Sequence, residues 1–332
     1  MTKTVLVIGA TGGIGGATAR AMLRKGWRVR AMHRSPEVVA RRPGAQGIDW
    51  IKGDAMSRDD VVAAAQGADV IVHGANPPGY KNWRGLAIPM LANTIEAARI
   101  VGARILLPGN VYNYGADAGE VVTEASPQNP LTRKGKVRVE METMLAEAAR
   151  TGVRSVVIRA ADFLGAGAPS SWFQAVMVKP GKPVRSMTYP GERGVGHAWA
   201  YLPDLAEAFA QIAEREDELP AFETFNFEGH WFERGFELVD SVRRAVGNEA
   251  LPIKRFPWLA IYVLAPVVPL FREMIEMRYL WRQPLRLDNA KLVAFLGGEP
   301  RTHYDEAVRA TLRDLGCLEP GDAHGAAVHG AA

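Results

Sequence analysis

Three glycines, Gly9, Gly12 and Gly15, recur at every third position of GATGGIGG (9–16), between a short apolar run and an amphipathic one. Such spacing lets the chain turn sharply and bring its backbone close to a pyrophosphate. The uncapped N–H groups and positive dipole end of the following helix then face the phosphates. A plain strand–helix turn would use the same residue types, so position decides. The loop follows TVLVI directly and opens a helix-like run, which points to a dinucleotide cradle made by Gly9, Thr11, Gly12, Gly13, Ile14 and Gly15. A second concentration of chemistry is TRKGK (132–136), where Arg133, Lys134 and Lys136 crowd the start of another helix-like run. Cations there oppose the helix dipole. An anionic partner for Lys134 or Lys136 is one explanation and a solvated helix end the other. The 7 histidines lack metal-ligand spacing and there is 1 cysteine, so no metal site is expected. No G-x-S-x-G nucleophile elbow occurs.

The elements that hold these residues alternate. Strands are expected over 4–10, 27–34, 68–75, 104–109 and 154–165, and helices over 13–26, 61–67, 85–102 and 134–152. Alternation of this kind requires crossovers and a parallel sheet covered on both faces. The fold class is therefore α/β, a Rossmann-type doubly wound parallel sheet with a smaller, interleaved C-terminal substrate cap. Residues 1–165 are expected to form the dinucleotide-binding domain, with parts of 197–230 returning to it through a helix (201–214) and a strand (224–229). Residues 166–318 are mainly cap, including a helix over 234–247. The small, glycine-rich 319–332 is expected to be a disordered tail.

The bulk numbers narrow the partners. The 332 residues are 48% hydrophobic and 23% charged, with 40 basic against 36 acidic residues and a net charge of +4. A mean hydropathy of −0.07 fits a globular protein. The charge is too mild and too interspersed to call for nucleic acid. One cysteine and the lack of a signal-like start point to the cytoplasm. WLAIYVLAPVVPLF (258–271) has 14 residues and two prolines, whereas a membrane span needs about 20. It is expected to be a buried or site-lining helix-turn, and a membrane-surface role is not favoured. The expected partner is a small-molecule substrate, with a homodimer left open.

Several motifs, in order, carry a family resemblance. ATGGIG, IKGDAMSRDDV (51–61), HGANPP (73–78), VVIRAADFLGAG (156–167) and HAWAYLPDLAEA (197–208) resemble segments of the extended or atypical short-chain dehydrogenases/reductases, of the NAD-dependent epimerase/dehydratase type. The resemblance covers roughly 3–250, with a weaker echo to about 316. It implies a nicotinamide dinucleotide. Asp54, followed by Ala55, stands where the family hydrogen-bonds the adenine, and Gly74 and Ala75 lie where the fourth strand meets the nicotinamide side. Arg159, Gly165 and Asp204 match further family positions. At the end of the second strand an acidic residue would bind ribose hydroxyls and repel a 2′-phosphate. Here His33 stands at that place and Arg34 follows, and Arg34 can pair with a phosphate. NADP is therefore expected, with NAD less favoured.

The family's proton chemistry uses a Ser, a Tyr and a Lys. Lys136 matches the lysine, because Glu140 follows four residues later as the family pattern has it. Four residues before Lys136 stands Thr132, whose aliphatic hydroxyl is too weak an acid to replace a phenol. In LLPGNVYNYG (106–115), Pro108 or Asn110 takes the serine's place. The candidate catalytic set is Lys136, Tyr112, Asn110 and Thr132, with Tyr114 leaving the same strand end. Tyr80, Trp83, Trp172 and Trp231 are candidates to line an aromatic substrate pocket. Two functions follow: an NADP-dependent oxidoreductase or epimerase-like enzyme acting on a small carbonyl, alcohol or alkene, or a catalytically silent NADP-binding redox sensor. The enzyme needs Asn110, Tyr112 and Lys136 to converge; hydrophobic packing in that space favours the sensor.

Overall fold

The computed structural model describes residues 2–77 and 82–319. Tyr80 and the expected tail beyond Glu319, with His324 and His329, lie outside them. Strands β1 (Thr4–Ile8), β2 (Arg28–His33), β3 (Ile48–Lys52), β4 (Val70–His73), β5 (Arg104–Asn110), β7 (Ser155–Ala160) and β11 (Phe222–Asn226) form one sheet in the order β11-β7-β5-β4-β1-β2-β3. Every neighbouring pair in it is parallel. The order reverses between β1 and β4, which opens a crevice at the carboxyl ends of those two strands.

Alternation along β1 supplies both faces of the core. Val5 and Val7 pack with helices α1 (Gly13–Arg24) and α6 (Leu202–Glu214). Leu6 and Ile8 point the other way, into the core under α3 (Arg58–Ala65), α4 (Trp83–Val101) and α5 (Arg133–Ala149). The short α2 (Pro36–Val39) follows β2. Strand β3 is not expected from IDWIK, because its half-buried edge position asks for little apolar sequence.

The expected strand over 154–165 is two strands. Chain direction breaks at Ala161, and β8 (Asp162–Leu164) leaves the main sheet to pair with β10 (His197–Tyr201), which also pairs with β12 (His230–Phe232). Two small ladders complete the cap: β9 (Met187–Tyr189) with β13 (Ile253–Arg255), and β6 (Val121–Val122) with β14 (Arg286–Leu287). Helices α7 (Glu237–Val246) and α11 (Tyr304–Asp314) cover the cap core around Trp199, Phe173 and Trp281, while α10 (Ala290–Leu296) sets Leu292 against the main core. The run 258–271 becomes α8 (Trp258–Leu264) and the start of α9 (Pro269–Glu276). The expectation that this run is buried is corrected: Ile261 and Ala265 are buried, but Leu259, Tyr262, Val263, Leu264, Val267 and Leu270 are exposed.

Candidate functional site

At the crevice, Gly9 turns from β1 with φ +88°, a left-handed conformation that favours glycine. A Cβ on Gly9 would lie 2.5 Å from the Gly74 carbonyl carbon, and one on Gly15 would collide with the Gly9 carbonyl. The Gly74 N–H donates to the Ile8 carbonyl (2.8 Å) and that of Gly12 to Gly9 (2.9 Å). Glycines thus bring β1, β4 and α1 into backbone contact. Gly12 caps α1 in extended conformation with no side-chain hydrogen bond, and no acid occupies the first turn. The helix start, Gly13 to Gly15, is left as an anion-facing edge. Thr11 is exposed beside it. Gly13 abuts Ala168, whose methyl would lie 3.0 Å from a Cβ there, so the loop after β8 closes the far side.

At the end of β2, where the adenosine is expected, Arg34 is exposed and has no carboxylate partner among the described residues. His33 is held: its Nδ1 accepts the Ser35 N–H at 3.0 Å, and its ring meets Trp50 edge-on. The Asp54 Oδ1 accepts from the Met56 N–H (3.0 Å), and the carbonyl of Ala55 accepts from Asn93 Nδ2 (2.9 Å). Both residues are half-buried.

The far half of the crevice is built where β5 meets α5. Asn110 ends the strand, and its Oδ1 accepts the N–H of Tyr112 (2.9 Å), which leaves the amide N–H groups as donors. Gly135 packs so closely on the Tyr112 carbonyl that a Cβ would collide. Thr132 is the N-cap of α5, its Oγ1 accepting the Gly135 N–H at 2.9 Å. Lys136 is exposed. Glu140, used to align it, pairs instead with Arg84 at 2.6 Å on the outer surface.

The buried side of α5 carries a different set. Lys134, 4% exposed, donates to the carboxylate of Glu273 on α9 (3.0 Å), and burial holds its ammonium pKa below the ordinary lysine value. The anionic partner looked for near TRKGK is therefore the protein's own Glu273, with Glu276 bound by Arg133 at 2.8 Å. One turn on, Arg138 donates to the Pro108 carbonyl on β5 (3.2 Å) and lies over the Trp83 ring. A further turn on, Glu142 pairs with Arg159 of β7 at 2.7 Å, both buried. The Glu142 carboxylate also accepts from Asn113 (2.8 Å), and Arg159 donates to the Tyr114 hydroxyl (3.1 Å). Burial raises the Tyr114 phenol's pKa, which suits a structural anchor rather than a proton donor. Beneath Arg138, His73 is fully buried with Nδ1 2.8 Å from Thr94 Oγ1. Burial, reinforced by the Arg138 charge, pushes its pKa down to about 3, so the ring is neutral.

Spacing four from a glutamate therefore selects two registers, Lys136–Glu140 and Arg138–Glu142. Only the second faces the sheet. The signal was available in sequence: Val137, Met141, Leu145 and Ala148 mark the buried stripe, and Lys134, Arg138 and Glu142 adjoin it.

Among the described residues, the aromatic candidates Trp83, Trp172 and Trp231 are not brought together. The Trp83 Nε1–H donates to Asn76 (2.9 Å) beneath Arg138, Trp172 packs against Phe256, Trp258 and Trp281, and Trp231 lines a separate cleft. The space beyond the β5 end is lined by Val111, Ala161, Asp162, His197, Ala198, Leu280 and Leu285 and measures about 10 Å³. His197 Nε2 meets Asp162 at 2.8 Å, and the ring stacks on Trp281 at 4.0 Å. A larger cleft of about 640 Å³ lies around His230, His303 and Arg301 and shares no lining residue with the glycine turn or the β5–α5 junction. Its volume alone gives it no chemical role.

A doubly wound sheet with a glycine-lined turn at its switch point defines a Rossmann-type protein with an interleaved cap. The signature of the NAD dependent epimerase/dehydratase family matches residues 5–227, and the chain belongs to that family. Among solved structures it is similar to UDP-glucose 4-epimerase from Brucella ovis in complex with NAD, at 18% identity and TM-score 0.74, covering 95% of this chain and 99% of that one. It is also similar to DesIV, a dTDP-glucose 4,6-dehydratase from Streptomyces venezuelae with NAD bound, at 16% identity and TM-score 0.71, covering 93% and 96%. At these identities the likeness is one of fold. A curated relative, an NmrA-like family domain-containing oxidoreductase from Aspergillus sp. (strain MF297-2), is 41% identical over 68 residues, and the match spans only 20% of either chain.

Proposed function

We propose that the protein is an NADP-dependent oxidoreductase or epimerase-like enzyme acting on a small organic substrate. The single observation that carries this reading is the glycine cradle: side chains at Gly9 and Gly15 would collide with the backbone of Gly74 and Gly9, so only glycines let β1, β4 and the start of α1 close into a turn of the kind that receives a pyrophosphate. Gly9, Gly12 to Gly15 and Thr11 would hold the phosphates, Arg34 the 2′-phosphate, Asp54 and Ala55 the adenine side, and Gly74 and Ala75 the floor of the crevice. In the register that faces the sheet, Arg138 rather than Lys136 would be the cation turned toward the ribose on the nicotinamide side. The family Tyr then corresponds to Lys134 and the family Lys to Arg138. The bound dinucleotide would supply a hydride acceptor or donor. The protein's part is to orient it, to polarise a carbonyl through the Asn110 amide, and to exclude water beneath the cap. With no phenol at the α5 position, a conjugated alkene or an activated carbonyl is favoured over a simple alcohol, because less proton transfer is needed.

The experiment is a titration of NADP and NAD against wild type, Arg34→Ala, Arg138→Ala and Lys136→Ala. Arg34→Ala should weaken NADP by about 1–3 kcal/mol, the scale of a charge-assisted bond, and leave NAD nearly unchanged. Arg138→Ala should weaken both cofactors, and Lys136→Ala neither. Tighter NAD than NADP binding in wild type overturns the cofactor preference. A second reading, the silent redox sensor, draws on the small space of about 10 Å³ beside Val111, the residue after Asn110, room for about one water. Tight cofactor binding with no turnover across ketones and conjugated enones would favour it.

A further inference from the structure

Among the described residues, 6 of the 11 large hydrophobics left exposed fall between Leu259 and Leu270. The α8–α9 hairpin that holds them has nothing but apolar side chains and one tyrosine from Phe256 to Phe271. Helix α8 is apolar on every side. Ile261 and Ala265 face inward, and Trp258 is tied down by its Nε1–H, which donates to the Pro190 carbonyl at 2.8 Å. Leu259, Tyr262 and Val263, at i, i+3 and i+4, form the opposite side and are 79%, 43% and 69% exposed. Val267, 75% exposed, and Leu270 continue this surface across the turn. A helix exposing one apolar side while burying another is not explained by the fold core.

The surroundings are cationic. Lys254 and Arg255 end the strand leading into the hairpin, and Arg272 follows its last apolar residue. All three are exposed and have no carboxylate partner among the described residues. Arg272 donates to the carbonyls of Ala265 (2.9 Å) and Pro266 (3.0 Å) while keeping its charge at the rim. Arg278 donates to the Tyr262 hydroxyl (3.0 Å) and lies over the Trp258 and Tyr262 rings. The nearest acids in sequence, Glu273 and Glu276, are turned to Lys134 and Arg133 of α5.

We propose that the α8–α9 hairpin is a monotopic anchor that seats the protein on a bilayer carrying anionic lipid. The apolar stretch is too short to span a membrane and no helix among the described residues is long and apolar enough to cross one. A hairpin of this kind instead lies in the headgroup region, its side chains among the acyl chains and its cationic rim at the lipid phosphates. Charge separates this occupant from others. A second copy docked through the same patch would set Lys254, Arg255 and Arg272 close to their own counterparts. Residues 320–332, PGDAHGAAVHGAA, hold no aliphatic side chain larger than valine to cover it. The exposed side chains of the hairpin, Leu259, Tyr262, Val263, Val267 and Leu270, are none of the crevice residues, so anchoring through them and cofactor binding stand or fall separately.

The test is co-sedimentation of the full chain with vesicles of phosphatidylcholine alone and of phosphatidylcholine mixed with phosphatidylglycerol. Wild type should pellet with the mixed vesicles and be released by salt. The triple variant Leu259→Ser, Val263→Ser, Val267→Ser should partition at least about tenfold less while its circular dichroism and cofactor titration match wild type. Lys254→Gln with Arg255→Gln should remove most of the salt dependence. Wild type remaining in the supernatant, or the triple variant pelleting equally, overturns the proposal. So does a wild-type dimer in analytical ultracentrifugation that the triple variant dissociates without any vesicle uptake by wild type, which would make the patch a contact between copies.

Discussion

The Thr132 hydroxyl accepts the Gly135 N–H at the start of α5, and that bond defines what the side chain does. A hydroxyl at an N-cap satisfies a helix donor that would otherwise need water, and its removal costs about 1 kcal/mol. Thr132→Ala should lower the urea midpoint accordingly while NADP affinity stays unchanged; a lost cofactor titration with unchanged stability would return Thr132 to the binding site. Lys134, Lys136 and Arg138 show the same point for cations. Three positive side chains within five residues look equivalent in sequence, yet one is latched to Glu273, one is solvated, and one lies against the carboxyl ends of the sheet strands. Types and spacing placed a cationic cluster at this helix correctly. Which cation faces the crevice depends on the rotation of α5, and the buried stripe of Val137, Met141 and Leu145 sets that rotation.

At the scale of elements, the Glu142–Arg159 pair fastens α5 to β7 beside the crevice. Both charges are buried, so deleting one leaves the other desolvated and unpaired. Glu142→Ala should cost about 3–5 kcal/mol in equilibrium unfolding, whereas Glu140→Ala, at an exposed pair, should cost less than about 1 kcal/mol. Equal effects would mean that the two registers of α5 are not distinguished by burial. Element order was legible because β1, β4, β5 and β7 are apolar runs separated by helical periodicity. Two features were not. IDWIK carries an acid and a lysine because edge strand β3 has only one sheet neighbour, β2. The run 154–165 reads as one strand because only Ala161 separates β7 from β8 and no glycine or proline marks the boundary; the break at Ala161 exists only because β10 offers Asp162–Leu164 a second sheet to join.

For the whole molecule, the buried histidines make stability depend on pH. Burial, with the Arg138 charge adding to it, lowers the folded pKa of His73 to about 3. Burial, with Arg301 and His303 adding, lowers that of His230 to about 4. An unfolded histidine titrates near about 6.5. Between those values the unfolded chain takes up protons the folded chain refuses, so stability increases with pH through that window. The contribution is complete above about pH 6.5 and is lost as pH falls toward the folded values, with a slope of up to about 1.4 kcal/mol per pH unit for each histidine. Thermal melts of His73→Asn should show a shallower decline from about pH 6.5 to 4 than wild type; an unchanged slope would mean that the His73 ring is protonated in the folded protein.

The doubly wound sheet, the glycine turn between its first strand and first helix and the family were all readable from the chain alone. They rest on local periodicity and on glycines such as Gly9 and Gly15, where a Cβ would collide with neighbouring backbone. The register of α5, the partners of its cations and the exposure of the α8–α9 hairpin emerged only on packing. Each of these depends on which face of an element meets a neighbour distant in sequence. An apolar run does not disclose whether its outward side is covered, and that is settled only when the rest of the chain has folded around it.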